Sequence, residues 1–457
     1  MKNGQLSYWL SRPGLETPAT ERLEHDEAVD VAIVGGGLSG LWSAWALAKA
    51  NPSLSIAVFE AEQLGFGASG RNGGWLSAKP VGMRDVLTRQ GGRDAVIEFE
   101  RLLRNAPDEI VSILGAEKVD ARHGGYLQVA RTPSEQQRIE NYMRASRAWG
   151  VDEAQLSLLT KGETAARVNL SRATGALYSP NNYCVDPVKM LFELTRSAQL
   201  AGVRVFTHAR VDAIAAHKLT IGKTRIDVSR HVIVATEGYS SSQAGQGRGM
   251  LPLNGSMLVT EPLTDAEWNK IGWDNFEGIC GSAHTYFYSQ RTPDGRIAIG
   301  GRGKPYRFAS GLDENGQVDR RTVAALAKML SDLFPQVDVR PSHAWCGVLG
   351  VTRDWSPFIE NDSVNSILRL GGYAGQGLTA AYLAGRTASD LVLNTPSALT
   401  SSPWVRTAPR RWEPEPLRWI GANGLYRIYS LADAIEGKSS KPRTALIAKA
   451  ADKIAGR

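Results

Sequence analysis

Apolar positions near the amino terminus follow a pattern typical of a buried strand and an adjoining helix. The β-branched residues of 29–34 form a nearly continuous apolar run, as expected for a parallel strand that is covered on both faces. A short break rich in glycine follows, and residues 41–48 have helical composition. A second apolar run, residues 55–59, ends at the acidic Glu60. This order predicts a β-strand, a tight turn, an α-helix and a second β-strand.

The turn between the first strand and the helix has the spacing of a dinucleotide-binding motif, because Gly35, Gly37 and Gly40 form G-x-G-x-x-G. The first glycine permits the tight turn, the second lets a pyrophosphate approach the backbone, and the third lets the helix pack closely on the strand. Amides at the helix amino terminus then face the phosphates, and an acid such as Glu60 suits a ribose with both hydroxyls free. We therefore expect an adenine dinucleotide to contact Gly35, Gly37, Leu38, Ser39, Gly40, Glu60 and Ala61.

The stretch GFGASGRNGGW, residues 65–75, indicates which dinucleotide to expect. Glycine costs about 1 kcal/mol per helical position relative to alanine, so this stretch favours neither a helix nor a well-packed strand. The stretch resembles the second flavin motif of the D-amino-acid-oxidase-like family of FAD-dependent amine oxidases, and within that family the γ-glutamylputrescine oxidase branch. The resemblance implies that FAD contacts Gly67, Ala68, Ser69, Arg71, Asn72, Gly73, Gly74 and Trp75.

Three later segments resemble the remaining flavin motifs of that family in matching order. Residues 203–214 resemble the strand beside the adenine, and residues 231–239 resemble the strand and turn that close the nucleotide pocket. Residues 368–377, with a predicted helix over 378–392, resemble the last motif, whose helix dipole lies near the pyrimidine end of the flavin. The resemblance covers residues 28–400 and implies further FAD contacts at Val211, Ala235, Thr236, Gly238, Gly372, Gly375, Gln376, Gly377, Leu378 and Thr379.

The glycines of this last motif also fit the looser pattern of a second nucleotide site, since Gly375-x-Gly377-x-x-Ala380 stands between a strand and a helix. However, the helix pattern ends at residues 394–396, and no strand with a terminal acid follows. We therefore expect electrons to leave the flavin to oxygen, a quinone or another acceptor, and not to a nicotinamide.

The resemblance implies an α/β fold with two interleaved domains. A Rossmann-type FAD-binding domain is expected from residues 1–90, 160–245 and 346–400, and an antiparallel-sheet α+β substrate domain from residues 91–159 and 246–345. Periodicity and capping residues predict helices over 93–114 and 187–200, and strands over 124–129, 256–259, 286–289 and 296–300. Residues 401–457 remain as a basic amphipathic helical extension.

Composition adds limits to this interpretation. A chain of 457 residues can bury two substantial cores. No apolar run approaches the roughly eighteen residues that a membrane span needs, and residues 1–18 lack the apolar core of a signal peptide. Three separated cysteines fit the reducing cytosol, and neither they nor the seven histidines form a metal-ligand cluster. We expect a cytoplasmic flavoprotein without a metal.

The positive charge is concentrated at the carboxyl terminus. Residues 401–457 contain eleven Lys and Arg residues against five Asp and Glu residues, and so hold six of the seven net charges. Apolar residues recur there at helical spacing, which suits contact with an anionic membrane surface, with a second subunit or with the protein's own body. We favour packing on the body. No aromatic and basic binding module accompanies the charge, so nucleic acid is not an expected partner.

Flavin-dependent amine oxidation asks the protein to exclude water, to orient the C–H bond and to favour the neutral amine, so an aromatic site is expected. Tyr286 and Tyr288 alternate on a predicted strand and would share one face. By resemblance this strand lies above the flavin, and Tyr288 falls near the substrate-contacting tyrosine of sarcosine-oxidase-like members. Arg302, at the end of the next strand, is a candidate for binding an acidic end of the substrate. Sheet packing and a solvated strand end are the structural alternatives for these side chains.

Two departures from the family pattern refine the expectation. Thr379 stands where sarcosine-oxidase-like enzymes have a lysine that helps to bind the substrate carboxylate. This favours an amine without a neighbouring carboxylate. Gly347 stands where those enzymes tether the flavin through a cysteine, and the adjacent Cys346 should point the opposite way on a strand. We therefore predict non-covalent FAD.

Three functional hypotheses follow. The first is oxidation of a primary or secondary amine, such as γ-glutamylputrescine or another polyamine derivative, to an imine and aldehyde, with H2O2 as product if O2 is the acceptor. The second is oxidation of a free amino acid (a D-amino acid, glycine or sarcosine), for which Arg302 or Arg71 would hold the carboxylate. The third is a flavin-bearing binding or membrane-surface protein that uses its basic extension.

Overall fold

The computed structural model describes residues 1–242, 247–301, 303–312 and 315–456. Its strands are β1 (Lys2–Asn3), β2 (Glu27–Val34), β3 (Ile56–Phe59), β4 (Trp75–Ser77), β5 (Arg122–His123), β6 (Tyr126–Ala130), β7 (Ser157–Thr160), β8 (Gly175–Ser179), β9 (Asn182–Cys184), β10 (Arg204–Phe206), β11 (Ala213–Ala215), β12 (Lys218–Ile221), β13 (Thr224–Val234), β14 (Leu251–Thr260), β15 (Gly278–Gly281), β16 (Tyr288–Arg291), β17 (Ile297–Gly301), β18 (Pro341–Val351), β19 (Phe358–Asp362) and β20 (Ile367–Gly371). Its α-helices are α1 (Leu38–Ala50), α2 (Arg84–Leu114), α3 (Pro133–Ala148), α4 (Lys161–Arg167), α5 (Pro187–Leu200), α6 (Asp265–Ile271), α7 (Arg320–Leu333), α8 (Gly377–Val392), α9 (Leu417–Glu436) and α10 (Leu446–Ala455).

One sheet is built around five parallel strands in the order β10-β3-β2-β13-β20. Strands β11, β12 and β19 extend it through antiparallel pairs. Helices α1, α5 and α8 share one core with this sheet, and all of β3 is buried. At the turn into α1, a Cβ on Gly40 would lie 2.0 Å from the carbonyl oxygen of Gly35, so only glycine allows this close approach. The predicted strand, helix and strand are confirmed.

A second sheet has nine strands in the order β1-β18-β14-β17-β16-β15-β6-β8-β7. Its pairs are antiparallel except for β1 with β18 and β15 with β6. Helix α7 packs its apolar side, Val323, Leu326, Leu330 and Leu333, into the core beneath this sheet. A third, small sheet joins β4, β9 and β5. The α/β fold with a Rossmann-type part and a largely antiparallel part is therefore as predicted.

Sheet membership differs in places from the predicted segments. Strand β8 and all of β18 pair within the nine-stranded sheet, although residues 160–245 and 346–400 are assigned from the sequence to the FAD-binding domain. Helix α2 begins at Arg84 rather than Arg93, contains a non-helical Gly92 (φ 81°, ψ 170°), and packs against α5 and α8. Pairings between distant segments decide these placements, and local periodicity does not contain them. The division into domains stays a prediction.

The extension, residues 401–457, packs on the rest of the protein. Its two helices contact each other, and the Tyr429 hydroxyl of α9 donates to Asp452 Oδ1 of α10 at 2.8 Å. Backbone and side-chain hydrogen bonds to Val351 and Arg353 attach the segment before α9 to the end of β18. Across the described ranges, none of the helices is both long and apolar enough to cross a lipid bilayer.

Candidate active site

A cavity of about 1520 Å³ is lined by both large sheets. One end lies at the turn between β2 and α1, and the other lies under the strands around Tyr288. Ligand pockets for small molecules usually measure about 300–1,000 Å³, so this cavity has room for a dinucleotide and a second small molecule.

The amino terminus of α1 opens into the first end of the cavity. Its N-cap residue, Gly37, has no side chain to satisfy the first amides, and Leu38 N donates to Ser69 Oγ at 3.0 Å. Glu60 Oε2 accepts from Gly36 N at 2.7 Å, and burial raises the pKa of this carboxyl. An open helix end beside a buried acid fits the pyrophosphate and ribose of FAD.

The glycine-rich loop is shaped by its own side chains. Asn72 Nδ2 donates to the carbonyls of Ala68 (3.1 Å) and Ser69 (2.9 Å), and Asn72 Oδ1 accepts from Gly74 N at 2.8 Å. A Cβ on Gly73 would lie 2.6 Å from the Tyr288 ring, so the loop reaches the second sheet closely only with glycine there. This brings the loop, the helix end and Tyr288 to one cavity.

Arg71 attaches this loop to β18. Its side chain is 1% exposed, lies 4.7 Å from the Phe66 ring centre and donates to the carbonyl of Cys346 at 3.3 Å. Next to Cys346, Gly347 lines the cavity, whereas Cys346 Sγ lies 3.5 Å from the carbonyl of Gln317 within the core of the second sheet. The opposite orientation predicted for Cys346 is therefore observed.

Most predicted cofactor-contacting residues line the cavity. They are Gly35, Gly37, Leu38, Ser39, Glu60, Ala61, Gly67, Ala68, Ser69, Arg71, Asn72, Gly73, Trp75, Val211, Ala235, Thr236, Gly238, Gly375, Gln376, Gly377 and Leu378. Tyr373 also lines the cavity, whereas Trp345 is a fully buried core residue.

Four predicted contacts do not line the cavity: Gly40, Gly74, Gly372 and Thr379. Gly40 faces the Gly35 carbonyl, and Gly74 lies against the Val185 carbonyl. Thr379 is buried, and its Oγ1 accepts from Ser77 N at 3.0 Å, so it holds β4 instead of facing a ligand. Arg302 lies outside the described residues.

Tyr288 lies on a strand at the cavity wall, as the sequence predicts, but Tyr286 does not lie on that strand. Strand β16 begins at Tyr288, so Tyr286 precedes the strand, and the prediction that both tyrosines alternate on it is wrong. Tyr286 is 53% exposed at the cavity wall. Burial raises the pKa of the Tyr288 phenol, which therefore stays protonated near neutral pH.

A lysine that the sequence analysis missed reaches the same wall. Gln128, Cys280 and Tyr288 stand directly opposite one another on β6, β15 and β16, and all three line the cavity. Lys79 Nζ lies 3.5 Å from Cys280 Sγ and 4.3 Å from the Tyr126 ring centre. Among the described residues, no carboxylate forms an ion pair with Lys79. The wall thus presents an uncompensated positive charge.

Glu237 is a second missed residue of the cavity wall. Its carboxylate accepts hydrogen bonds from Gly238 N at 2.8 Å and from Gly350 N. Burial outweighs these bonds and raises its pKa to about 7. The sequence does show an acid in the turn after β13, and this position could have identified Glu237 as a residue of the cavity wall.

The extension closes one side of the cavity. Its lining residues are Trp412, Glu413, Leu417, Arg418, Trp419, Gly421, Ala422, Asn423, Leu425, Tyr426, Arg427, Tyr429, Ser430, Ile454 and Ala455. Asp433 accepts from the backbone amides of His284 (2.8 Å) and Thr285 (2.9 Å), and Glu436 binds Arg138 (2.6 Å) and His284 Nε2 (3.0 Å). Through these hydrogen bonds to His284, Thr285 and Arg138, Asp433 and Glu436 hold α9 on the rest of the protein.

Comparisons with known proteins agree with this geometry. A family model described as FAD-dependent oxidoreductase, DAO, matches residues 30–391. The chain is 28% identical to γ-glutamylputrescine oxidoreductase of Escherichia coli (strain K12) over 84% of this chain and 88% of that protein. It is 24% identical to glycine oxidase of Bacillus subtilis (strain 168) over 81% and 94% of the two chains. The crystal structure of glycine oxidase from Geobacillus kaustophilus superimposes with a TM-score of 0.67 at 20% identity, covering 83% of this chain and 99% of that one.

Proposed function

Because this chain belongs to the family of FAD-dependent oxidoreductases, we propose that it oxidises a primary or secondary amine whose far end carries an acidic group. γ-Glutamylputrescine and similar polyamine derivatives are substrates of this type. The products are an imine, which water hydrolyses to an aldehyde and ammonia or an amine, and H2O2 when O2 is the acceptor.

The cavity residues suit FAD held without a covalent bond. The amides at the α1 amino terminus and Glu60 would hold the pyrophosphate and ribose of FAD, and the glycine-rich loop and Tyr288 would hold its flavin end. The amino terminus of α8, capped by Gln376 without a side-chain hydrogen bond, offers amides and a positive dipole end. When bound, FAD accepts two electrons as a hydride from the carbon next to the amine nitrogen. Gly347 offers no thiol for a tether.

Lys79 is the observation that carries the substrate assignment. Its ammonium group lies at the wall formed by Gln128, Cys280 and Tyr288, against aromatic rings. A cation there attracts a carboxylate. The aromatic lining excludes water and lowers the pKa of the bound amine, which favours the neutral form that hydride loss requires.

The position of this cation favours a carboxylate distant from the reacting amine. In the family pattern the cation for an α-carboxylate stands at the position of Thr379, and here that side chain is buried and bonded to Ser77 N. Lys79 instead contacts Tyr126 and Cys280 of the nine-stranded sheet.

Oxidation of a free amino acid is the second candidate, and the same lysine is what favours it. If Lys79 holds an α-carboxylate, then glycine, sarcosine or a D-amino acid would react in place of the longer amine. The two candidates differ only in the distance between the carboxylate and the oxidised C–N bond.

Product analysis with matched compounds tests the proposal. The purified holoenzyme is incubated with γ-glutamylputrescine, with N-acetylputrescine, which lacks the carboxylate, and with glycine, sarcosine and D-alanine. The carbonyl product, an aldehyde or, from D-alanine, a keto acid, is measured with O2 and, separately, with a redox dye as acceptor. The proposal predicts aldehyde from the carboxylated amine in clear preference to the acetylated one. Turnover of the amino acids alone would establish the second candidate, and no turnover of either class would overturn both.

A further inference from the structure

Exposed apolar side chains are concentrated on the carboxyl-terminal extension. Of the thirteen large apolar side chains that are exposed in the described chain, eight lie in residues 401–457: Leu417, Trp419, Ile420, Tyr426, Leu431, Ile435, Leu446 and Ile454. Scattered exposed apolar residues are ordinary, but a contiguous patch marks an interaction surface.

Four of these residues form one stripe on α9. Leu417, Ile420, Leu431 and Ile435 recur at helical spacing, and we call them the outer stripe. A different side of α9 carries its buried residues, Arg418, Tyr429, Ala432 and Glu436, which face the protein. Helix α9 therefore carries an exposed apolar stripe in addition to the side that packs on the body.

The exposed charge of the extension that has no ion-pair partner among the described residues is positive. The five acids of the extension are all bonded within the protein, to the partners Arg353, Tyr306, the His284 and Thr285 amides, Arg138 and Tyr429. Seven cations of the extension are exposed and form no ion pair with any residue that the structure describes: Arg411, Arg427, Lys438, Lys441, Arg443, Lys449 and Lys453. We call these the outer cations.

The mouth of the cavity adjoins this surface. Leu417, Trp419, Tyr426 and Ile454 line the cavity and are also between 37% and 65% exposed. Exposed apolar side chains of the extension thus stand at the opening.

We propose that this surface docks on an anionic lipid bilayer, with the outer stripe in the interface, the outer cations on the lipid headgroups and the cavity mouth facing the membrane. A helix with exposed apolar residues and surrounding Lys and Arg lies in the plane of an anionic interface. A second copy of the chain would bring like charges together. Nucleic acid offers the phosphates but no apolar layer for the stripe.

Vesicle sedimentation of the full-length holoenzyme tests this proposal. Vesicles of phosphatidylcholine alone are compared with vesicles containing one third phosphatidylglycerol, at low and at high salt. We expect the protein to sediment with the anionic vesicles at least tenfold more strongly than with the neutral ones. Raising the salt should weaken this binding, because screening shortens the range of the attraction.

Two variants and a control separate the apolar and ionic parts. Ile420→Ser with Leu431→Ser, and Lys438→Glu with Lys449→Glu, should each lower anionic-vesicle binding about tenfold or more. Leu200→Ser with Val364→Ser removes exposed apolar side chains elsewhere and should leave it unchanged. The flavin spectrum and dye-linked turnover of each variant report that it is folded.

Several outcomes would overturn the proposal. These are equal binding to both vesicle types, no binding at low salt, or equal loss in the control variant. A stable dimer that Ile420→Ser with Leu431→Ser dissociates would assign the stripe to a second copy. Competition by duplex DNA with no effect of the stripe variant would assign the cations to a polyanion.

Discussion

At the scale of single residues, Lys79 determines the chemistry proposed for the cavity. It is a half-buried ammonium group beside aromatic rings and a thiol, in a site whose reaction requires a neutral amine. Position 379 carries no such charge, since its residue is a threonine, and the Thr379 hydroxyl accepts from Ser77 N of β4.

Lys79→Met should raise the KM for γ-glutamylputrescine and change that for N-acetylputrescine little. Hydrogen bonds to charged groups contribute about 1.5–3 kcal/mol, so the expected rise is between about tenfold and a hundredfold. Steady-state kinetics with a dye acceptor measures both constants, and Lys223→Met, in an exposed turn, is the matched control. An equal rise of KM for both compounds would show that Lys79 does not bind the substrate carboxylate.

Glu237 should make stability depend on pH. Its folded-state pKa of about 7 lies above the ordinary value of 4.5, so the folded protein keeps a proton that the unfolded chain releases. The contribution is present below about pH 4.5 and is lost as the pH rises through 7, a difference of about 3 kcal/mol.

Guanidinium unfolding of the FAD-saturated protein measures this dependence. The useful range is about pH 5 to pH 8, since it lies above the ordinary pKa of the carboxyl and includes its folded-state pKa. Glu237→Gln should flatten the fall in stability with pH, and Glu24→Gln, an exposed control, should not. An unchanged slope in Glu237→Gln would mean that the carboxyl is ionised throughout.

At the scale of elements, the anchoring of α9 sets the shape of the cavity mouth. Asp433 holds the helix through the His284 and Thr285 amides, about one hundred and fifty positions away along the chain (separations of 149 and 148). Helix α9 thereby covers a cavity whose other walls come from the two sheets.

Asp433→Asn should loosen α9 without unfolding the protein. One carbonyl oxygen cannot replace a carboxylate that accepts from two amides and a hydroxyl, so about 1–3 kcal/mol of the docking free energy should be lost. Hydrogen exchange of residues 417–436 should become about tenfold faster or more, with the sheets unchanged. Asp332→Asn, in an exposed ion pair with Lys328, is the control. Unchanged protection of α9 would show that Asp433 is not its anchor.

Elements with a local signature were predictable from the sequence. The strand, the glycines and the helix of residues 29–48 follow one another in the chain, and the turn and the helix end depend only on residues close in sequence. Tyr286 was misplaced because the alternation of side chains holds only within a strand, and β16 begins two residues later. Lys79 was missed because its meaning depends on β6 pairing with β15, segments about one hundred and fifty positions apart.

At the scale of the whole molecule, two sheets and a helical extension enclose one cavity. The charge excess of the extension could be counted from the sequence, and its packing on the body was the favoured alternative. Which face of α9 turns outward could not be predicted, because both faces carry apolar residues and only distant partners such as His284 and Arg138 distinguish them.

The enclosed cofactor should be released by denaturation. Gly347 lines the cavity while Cys346 Sγ is turned into the core, so no thiol is offered to the flavin at this strand. Acid precipitation should leave the yellow chromophore in the supernatant, and mass spectrometry should find the apoprotein at its sequence mass. A yellow pellet would show a covalent bond elsewhere.

Amine oxidation is best tested by following the reductive half-reaction of the flavin. The holoenzyme is mixed anaerobically with γ-glutamylputrescine in a stopped-flow instrument, and the oxidised-flavin band at about 450 nm is followed. We expect rapid bleaching by this amine, slower bleaching by N-acetylputrescine at equal concentration, and recovery on addition of an acceptor. A flavin band that no amine bleaches, while glycine, sarcosine or a D-amino acid does, would contradict it.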